Sequence, residues 1–212
     1  MTVPAHLPTL AQIEAWPTFT AEAPLRVLTS ACLAGDPCGV DGTSYGEYRL
    51  AKHLLGLPNV KQVKFCPEHD AFGTPRATPD IHGGNGFDVL DGKARVMSDK
   101  GDDWTDGMIR SARKMTDLAA SHDVHLALLM DISAACGSSV IYDGTRSLEK
   151  YQRGPGVVGA LVMRAGIPIV SWRDERTLVR IFEKLGATSG GHLSDGLDHY
   201  ERAWYREYFK QA

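Results

Sequence analysis

The sequence predicts an α/β protein, a Rossmann-like three-layer sandwich built on a mostly parallel sheet. Short apolar runs rich in β-branched residues alternate with segments whose apolar residues recur at helical spacing. Strands that alternate with helices favour a parallel sheet covered by helices on both faces. The strands are expected at residues 25–29, 60–65, 126–130 and 167–171.

Helices are predicted between these strands and at both ends of the chain. The ends resemble additions to a central domain: an N-terminal extension at residues 1–24, an α/β domain at 25–172 and a helical C-terminal extension at 173–212. The aromatic-rich last helix is expected to pack onto the domain or onto a second subunit, so the oligomeric state stays open. The predicted helices span residues 9–15, 45–57, 104–122, 157–165, 175–185 and 197–209.

Composition narrows the class of protein. The chain has 212 residues, of which 43% are hydrophobic, and its formal net charge of −3 gives no basic surface for a long nucleic acid. Its most apolar stretch is interrupted by Arg164 and Pro168, which argues against a membrane span. The first ten residues lack the charge and apolar pattern of a secretory signal, so we expect a cytoplasmic protein with reduced thiols.

Three of the four cysteines follow predicted strands. Cys32, Cys66 and Cys136 come after the first, second and third strands. Because the carboxyl ends of parallel strands share one edge, we expect these thiols to surround one metal centre. For any single cysteine, the alternative is a small buried hydrophobic residue. Cys38 is either a fourth ligand, which would close the site, or a spare thiol in a turn.

Polar residues accompany these cysteines. Glu68 is a candidate general base or a charged residue in the first turn of a helix. Asp131 is a second candidate general base, and Ser133 is a candidate for orienting water or donating a hydrogen bond. The alternative for both residues is capping or turn formation at the end of a strand. Arg76 either binds a carboxylate or phosphate group or pairs with Asp80 as part of the scaffold.

Four motifs stand in order along the chain: SACLAG at 30–35, CPE at 66–68, GTPR at 73–76 and SAACG at 133–137. Together with others they resemble the motifs of a bacterial family that was long called a domain of unknown function and is now described as thiouracil desulfurases. The resemblance runs from residue 26 to residue 171. This chain differs from the usual family pattern at Gly39, Met130, Ala134 and Ala135, where Arg, Lys, Pro and Ser are common.

The resemblance implies a [4Fe-4S] cluster held by Cys32, Cys66 and Cys136, with Cys38 outside the ligand set. It implies Glu68 as the acid/base carboxylate and Ser133 as the catalytic serine. The fourth iron is left open for the sulfur of the substrate. The expected reaction converts a thiolated pyrimidine of the 2-thiouracil type to the oxo base, with sulfide passing to the open iron.

We also expect Ser30 and Arg76 to contact the substrate, and Asp131 to take part in catalysis. Two other functions remain open at this point. One is the same cluster chemistry on a thiolated nucleotide such as thio-UMP. The other is a non-catalytic protein that binds a ligand or zinc through its cysteines.

Overall fold

The structure, a computed structural model, describes residues 3–44 and 46–210. Within these ranges the strands are, in chain order, β1 (Leu25–Ser30), β2 (Val60–Phe65), β3 (Pro79–His82), β4 (Arg95–Ser98), β5 (Leu126–Leu129), β6 (Val140–Tyr142), β7 (Tyr151–Arg153) and β8 (Ile169–Ser171). The α-helices are α1 (Leu10–Ala15), α2 (Arg49–Leu55), α3 (Pro67–Phe72), α4 (Gly86–Leu90), α5 (Thr105–Ser121), α6 (Val157–Arg164), α7 (Glu175–Lys184) and α8 (Ala203–Tyr208). Short 3-10 turns lie at Arg146–Leu148 and His199–Glu201.

The central sheet has the strand order β2-β1-β5-β8, and all of its pairings are parallel. The register brings the carboxyl ends of the strands close to one line, with Ser30 opposite Phe65 and Leu129 opposite Ser171. Two antiparallel pairs, β3 with β4 and β6 with β7, lie outside this sheet. This alignment places the segments after all four parallel strands at one edge.

Two separate layers of apolar side chains fill the space on either face of the sheet. On one face, Leu28 and Leu129 pack with residues of α5 and α6. On the other face, Val27 and Leu128 pack with residues of α2 and α7. Successive strand residues point to opposite faces, so each strand contributes to both layers. The predicted three-layer α/β fold is confirmed.

Both extensions join the second of these layers. Ile13 of α1 and Phe182 of α7 are buried in the same apolar cluster as the sheet residues. The main chain before α1 also contacts the sheet, because the Ile169 amide donates to the His6 carbonyl at 2.8 Å. The division into an N-terminal extension, a domain and a C-terminal extension stays a prediction, but the extensions share the core of the domain.

The predicted elements agree with the structure except in three places. The helix expected at 45–57 begins only at Arg49, and residue 45 lies outside the described residues. The single helix expected at 197–209 is wrong: Arg202 is extended and separates a 3-10 turn from α8. The Arg202 side chain pairs with Glu175 and Asp195, contacts that help hold this break. The sequence also missed short elements, namely β3, α4, β4, β6 and β7, and it indicated α3 only through the alternative interpretation of Glu68.

None of the helices in the described part of the chain combines the length and the apolar character needed to cross a membrane.

Replacing a central core residue tests this packing. Leu128 of β5 is fully buried, so we expect Leu128→Ala to lower the free energy of unfolding by about 2–5 kcal/mol, since it leaves a cavity in the sheet's core. Urea unfolding followed by circular dichroism measures the change. Leu148→Ala is the control, because that side chain is 62% exposed. Equal unfolding midpoints for the two variants would contradict the described core.

Candidate functional site

A cavity of about 340 Å³ opens at the carboxyl edge of the parallel sheet. Its walls come from the segments after β1, β2, β5 and β8, and from the β6–β7 pair. All four cysteines line it: Cys32, Cys38, Cys66 and Cys136. This volume suits a small molecule, and the position is the one at which open parallel sheets bind ligands.

The thiol after β2 is held by the start of a helix. Cys66 is the residue that caps α3, and its Sγ accepts a hydrogen bond from the His69 amide at 3.4 Å. The same sulfur contacts the Cys38 carbonyl at 3.7 Å. Cys32 and Cys38 are buried beside it in one cluster. Backbone groups therefore fix this side of the thiol group.

Cys136 lies in a loop that is attached to the start of α6. The amides of Val157 and Val158, which have no partner inside the helix, donate to the carbonyls of Ala134 and Ala135 at 2.9 Å each. The first turn of the helix thus holds the loop. The packing of α6 on the sheet therefore sets where the loop lies.

A glycine permits this close approach between loop and helix. A Cβ atom at Gly159 of α6 would lie 2.2 Å from the Gly137 carbonyl oxygen, directly after Cys136. Any side chain at position 159 would therefore push the cysteine loop away from the helix.

The surroundings raise the pKa of three thiols. The neighbouring thiol of Cys32 is the main cause that raises the pKa of Cys38 to about 12. Contact with Cys38, together with burial, raises the pKa of Cys66, and burial raises that of Cys136. Because their pKa values are raised, these thiols keep their protons in the metal-free protein. A metal that binds would have to displace those protons.

Glu68 lies in the first turn of α3 with both carboxylate oxygens engaged. Its Oε2 accepts from Arg76 Nη2 at 2.7 Å, and its Oε1 accepts from the Ser133 hydroxyl at 3.2 Å. The Ser133 oxygen in turn accepts from the amides of Ala135 and Cys136. A carboxylate, a hydroxyl and the cysteine loop therefore form one hydrogen-bonded unit in the cavity wall.

Arg76 serves this unit as a scaffold. Besides Glu68, its Nη1 donates to the Cys38 carbonyl and to the Thr74 hydroxyl, each at 2.9 Å. Its side chain is 3% exposed. The alternative pairing with Asp80 is wrong, because Asp80 pairs with Arg146 at 2.8 Å.

Asp131 follows β5, but its carboxylate lies against the C-terminal extension. Its Oδ2 forms a buried hydrogen bond with His199 Nδ1, and its Oδ1 accepts from the Ser138 amide at 3.4 Å. Burial acts to raise the pKa of Asp131, but the contacts with His199 outweigh it and lower the pKa below the usual value. Both oxygens of the Asp131 carboxylate are therefore engaged in structural hydrogen bonds.

Ser30 ends β1 and is almost fully buried at the cavity wall. Its hydroxyl oxygen accepts from the Met130 amide at 2.9 Å, and the nearby hydroxyl acts to lower the pKa of Cys136 against the larger effect of burial. Ser30 therefore joins the ends of two neighbouring strands beside the cysteine loop.

The sequence reasoning missed several residues of the cavity wall. Arg173 comes two residues after β8, at the same edge as the cysteines, and the rule that selected Cys32 would have found it. Tyr142, Arg146 and Tyr151 come from the β6–β7 pair and the turn between them. That pair has no sequence signal that would place it over the sheet edge.

Fold and cavity together define a class of protein: an α/β enzyme whose site at the sheet edge combines soft thiol ligands with a carboxylate–hydroxyl pair. Comparison with known proteins narrows this class. The profile of the family described as 2-thiouracil desulfurase matches residues 27–174. The chain belongs to this family, as its motifs indicated.

Two known proteins are similar to this chain over about two thirds of its length. The uncharacterized protein YbbK of Bacillus subtilis (strain 168) is 35% identical over 146 residues, which make up 68% of this chain and 94% of YbbK. A solved structure of TudS, a [4Fe-4S]-dependent thiouracil desulfidase, matches with a TM-score of 0.55 and 31% identity. That match covers 69% of this chain and 89% of TudS.

The contact between α6 and the Cys136 loop yields a test. In an ordinary helix, Gly→Ala stabilises by about 1 kcal/mol. We expect Gly159→Ala to do the opposite and lower the melting temperature, because its Cβ meets the Gly137 carbonyl. Asp117→Ala, at an exposed position of α5, is the control and should leave the melting temperature unchanged or raised. A rise for Gly159→Ala in differential scanning calorimetry would contradict the close packing.

Proposed function

We propose that this protein is a [4Fe-4S]-dependent desulfurase that replaces the sulfur of a thiolated pyrimidine with oxygen. One observation carries the proposal: thiols from three separate segments and the Glu68–Ser133 pair line the same cavity. The family supports the reaction, and the TudS match supports the cofactor.

The donor set suits an iron–sulfur cluster. Cys32, Cys66 and Cys136 offer only sulfur, the ligand that iron–sulfur clusters use. The amide of His69 already donates to the Cys66 sulfur, a contact of the kind that tunes cluster ligands.

The chain's own residues supply the proton chemistry. Cys32, Cys66 and Cys136 would hold the cluster, and its iron without a protein ligand would supply Lewis-acid polarisation of the substrate's carbon–sulfur bond. Glu68 takes a proton from the water that attacks this carbon, and Arg76 fixes the carboxylate for the task. Ser133 donates to the other carboxylate oxygen and so helps to orient Glu68. One water is consumed, the oxo base and sulfide leave, and no electrons are exchanged.

The remaining predicted residues take supporting roles in this proposal. Ser30 joins the end of β1 to the Met130 amide after β5, and Asp131 fixes the same segment through His199. Direct contact of Ser30 and Arg76 with the substrate stays a prediction, as do a catalytic role of Asp131, the cytoplasmic location and the absence of long nucleic acid partners.

Anaerobic purification tests the cofactor. We expect a brown protein with about four irons and a matching amount of sulfide per chain. Incubation with 2-thiouracil should remove its thione absorbance and release sulfide. A colourless protein with one zinc per chain and no turnover would reject the proposal.

Glu68→Gln should abolish most turnover while the cluster stays bound. Loss of a general base typically costs about 10²- to 10⁴-fold in rate, and glutamine keeps the shape that Arg76 and Ser133 contact. The measurement is kcat for 2-thiouracil together with iron content. Glu207→Gln, at an exposed position of α8, serves as the matched control. Full turnover of Glu68→Gln would remove Glu68 from the reaction.

The assignment of ligands has its own test in iron content. We expect Cys38→Ser to keep the full iron of the anaerobically purified protein, whereas Cys136→Ser loses most of it. The reason is that Cys38 lies outside the proposed ligand set although it contacts Cys32 and Cys66. Loss of iron from Cys38→Ser with retention in Cys136→Ser would mean that the ligand set is different.

A further inference from the structure

The loop that carries Cys136 is closed at its base by one side chain. Asp131 comes two residues after β5, and its Oδ1 accepts a hydrogen bond from the Ser138 amide at 3.4 Å. Ser133 and Cys136 both lie inside the segment that this contact closes, residues 132–137. The positions of the proposed ligand and of the serine therefore depend on where the Asp131 carboxylate is held.

This loop begins in a strained conformation. Ile132 has a φ of 54°, in the left-handed region that β-branched residues rarely adopt. Such a backbone persists only where surrounding contacts hold it. The Ile132 side chain packs against Val140, Tyr205 and Phe209, and the last two belong to the C-terminal extension. The extension thus contacts the loop at its strained residue.

His199 of the same extension holds Asp131. Its Nδ1 forms the buried hydrogen bond with Asp131 Oδ2, and its Nε2 is buried without a hydrogen-bond partner among the described residues. The residue is 1% exposed. A buried nitrogen without a partner costs free energy, so an apolar side chain would fill this place at a lower cost. The hydrogen bond to Asp131 is what a histidine adds here.

The ring of His199 is fixed by its own surroundings. The Trp204 ring stacks on it, with centroids 5.6 Å apart and an interplanar angle of 8°. Tyr205 packs against it in an edge-to-face arrangement at 5.5 Å. The His199 amide donates to the Asp174 carboxylate at 3.0 Å. Because the ring is held in place, it can fix Asp131 with little further loss of side-chain entropy.

We propose that His199 is a positioning residue for the loop of residues 132–137, acting through Asp131, and that the C-terminal extension thereby holds the Cys136 ligand in place. The match to the family profile ends at residue 174, so this residue comes from a part of the chain outside that match. The role of Cys136 as a cluster ligand rests on the function proposed above, whereas the effect of His199 on the loop does not.

Hydrogen exchange followed by mass spectrometry tests the effect on the loop in the anaerobically purified full-length protein. The measured quantity is the exchange rate of a peptide that spans residues 131–138, divided by that of a peptide that spans β1. This ratio separates local loosening from general destabilisation. We expect His199→Leu to raise the ratio about 10- to 100-fold, the range for loss of a hydrogen bond to a charged group.

Two further variants assign the effect to the hydrogen bond. The side-chain amide nitrogen of asparagine can take the place of Nδ1 of histidine, so His199→Asn should keep most of the protection of the loop. Asp131→Ala should itself raise the ratio. In that background His199→Leu should add little, because the two residues act through one contact.

Tyr208→Phe is the matched control. It removes a different hydrogen bond between the extension and the domain, the one that the Tyr151 amide donates to the Tyr208 hydroxyl at 2.8 Å. The ring stays in place and Asp131 is not touched, so the exchange ratio should equal that of the wild type.

Release of iron to a chelator tests the link to the ligand. We expect His199→Leu to lose iron about 10-fold faster than the wild type, because a cysteine on a looser loop is held less firmly. His199→Asn and Tyr208→Phe should release iron at the wild-type rate.

The contrary results are specific. An unchanged exchange ratio in His199→Leu, an equal rise in Tyr208→Phe, or full additivity with Asp131→Ala would overturn the positioning role. A looser loop with unchanged iron release would overturn the link to Cys136. A looser loop in His199→Leu, combined with a wild type that holds no iron, would contradict the proposed cluster and leave the role of His199 in the loop standing.

Discussion

The parallel pairing of β1 with both β2 and β5 is the constraint on which the site depends. It brings the ends of three strands to one edge, so that residues far apart in the chain become neighbours. Cys32 and Cys66 follow the first two strands directly, and the Cys136 loop follows the third. A slip of one residue in this register would turn the side chains to the opposite faces and separate the thiols.

Hydrogen bonds between loops are a second constraint on the geometry of the site. Arg76 connects Glu68 with the carbonyl of Cys38, and Ser133 connects Glu68 with the amide of Cys136. The carboxylate is therefore attached to the segments that carry two of the thiols. Removing one member leaves another buried polar group without its partner, so this network is expected to respond as a unit rather than residue by residue.

The C-terminal extension also contributes to the cavity wall, although the match to the family profile ends at residue 174. His199 forms its buried hydrogen bond with Asp131, directly behind the cavity. Farther on, Tyr205 and Phe209 pack with Val140 of β6, beside the pair of strands that covers the cavity. The end of the chain thus supports the wall that the substrate meets, which gives the extension a role in shaping the site.

The sequence alone determined the layers of the fold and the position of the cysteines. Period-2 and helical spacings report burial directly, and a cysteine after a parallel strand must lie at the shared edge. Tertiary structure decided the partners. Glu68 pairs with Arg76 and Asp131 with His199, whereas Arg173 stacks on Trp172 and has no salt bridge within the described residues. These contacts join loops and a terminal segment whose paths depend on packing across the whole molecule. Local residue spacing does not predict such paths.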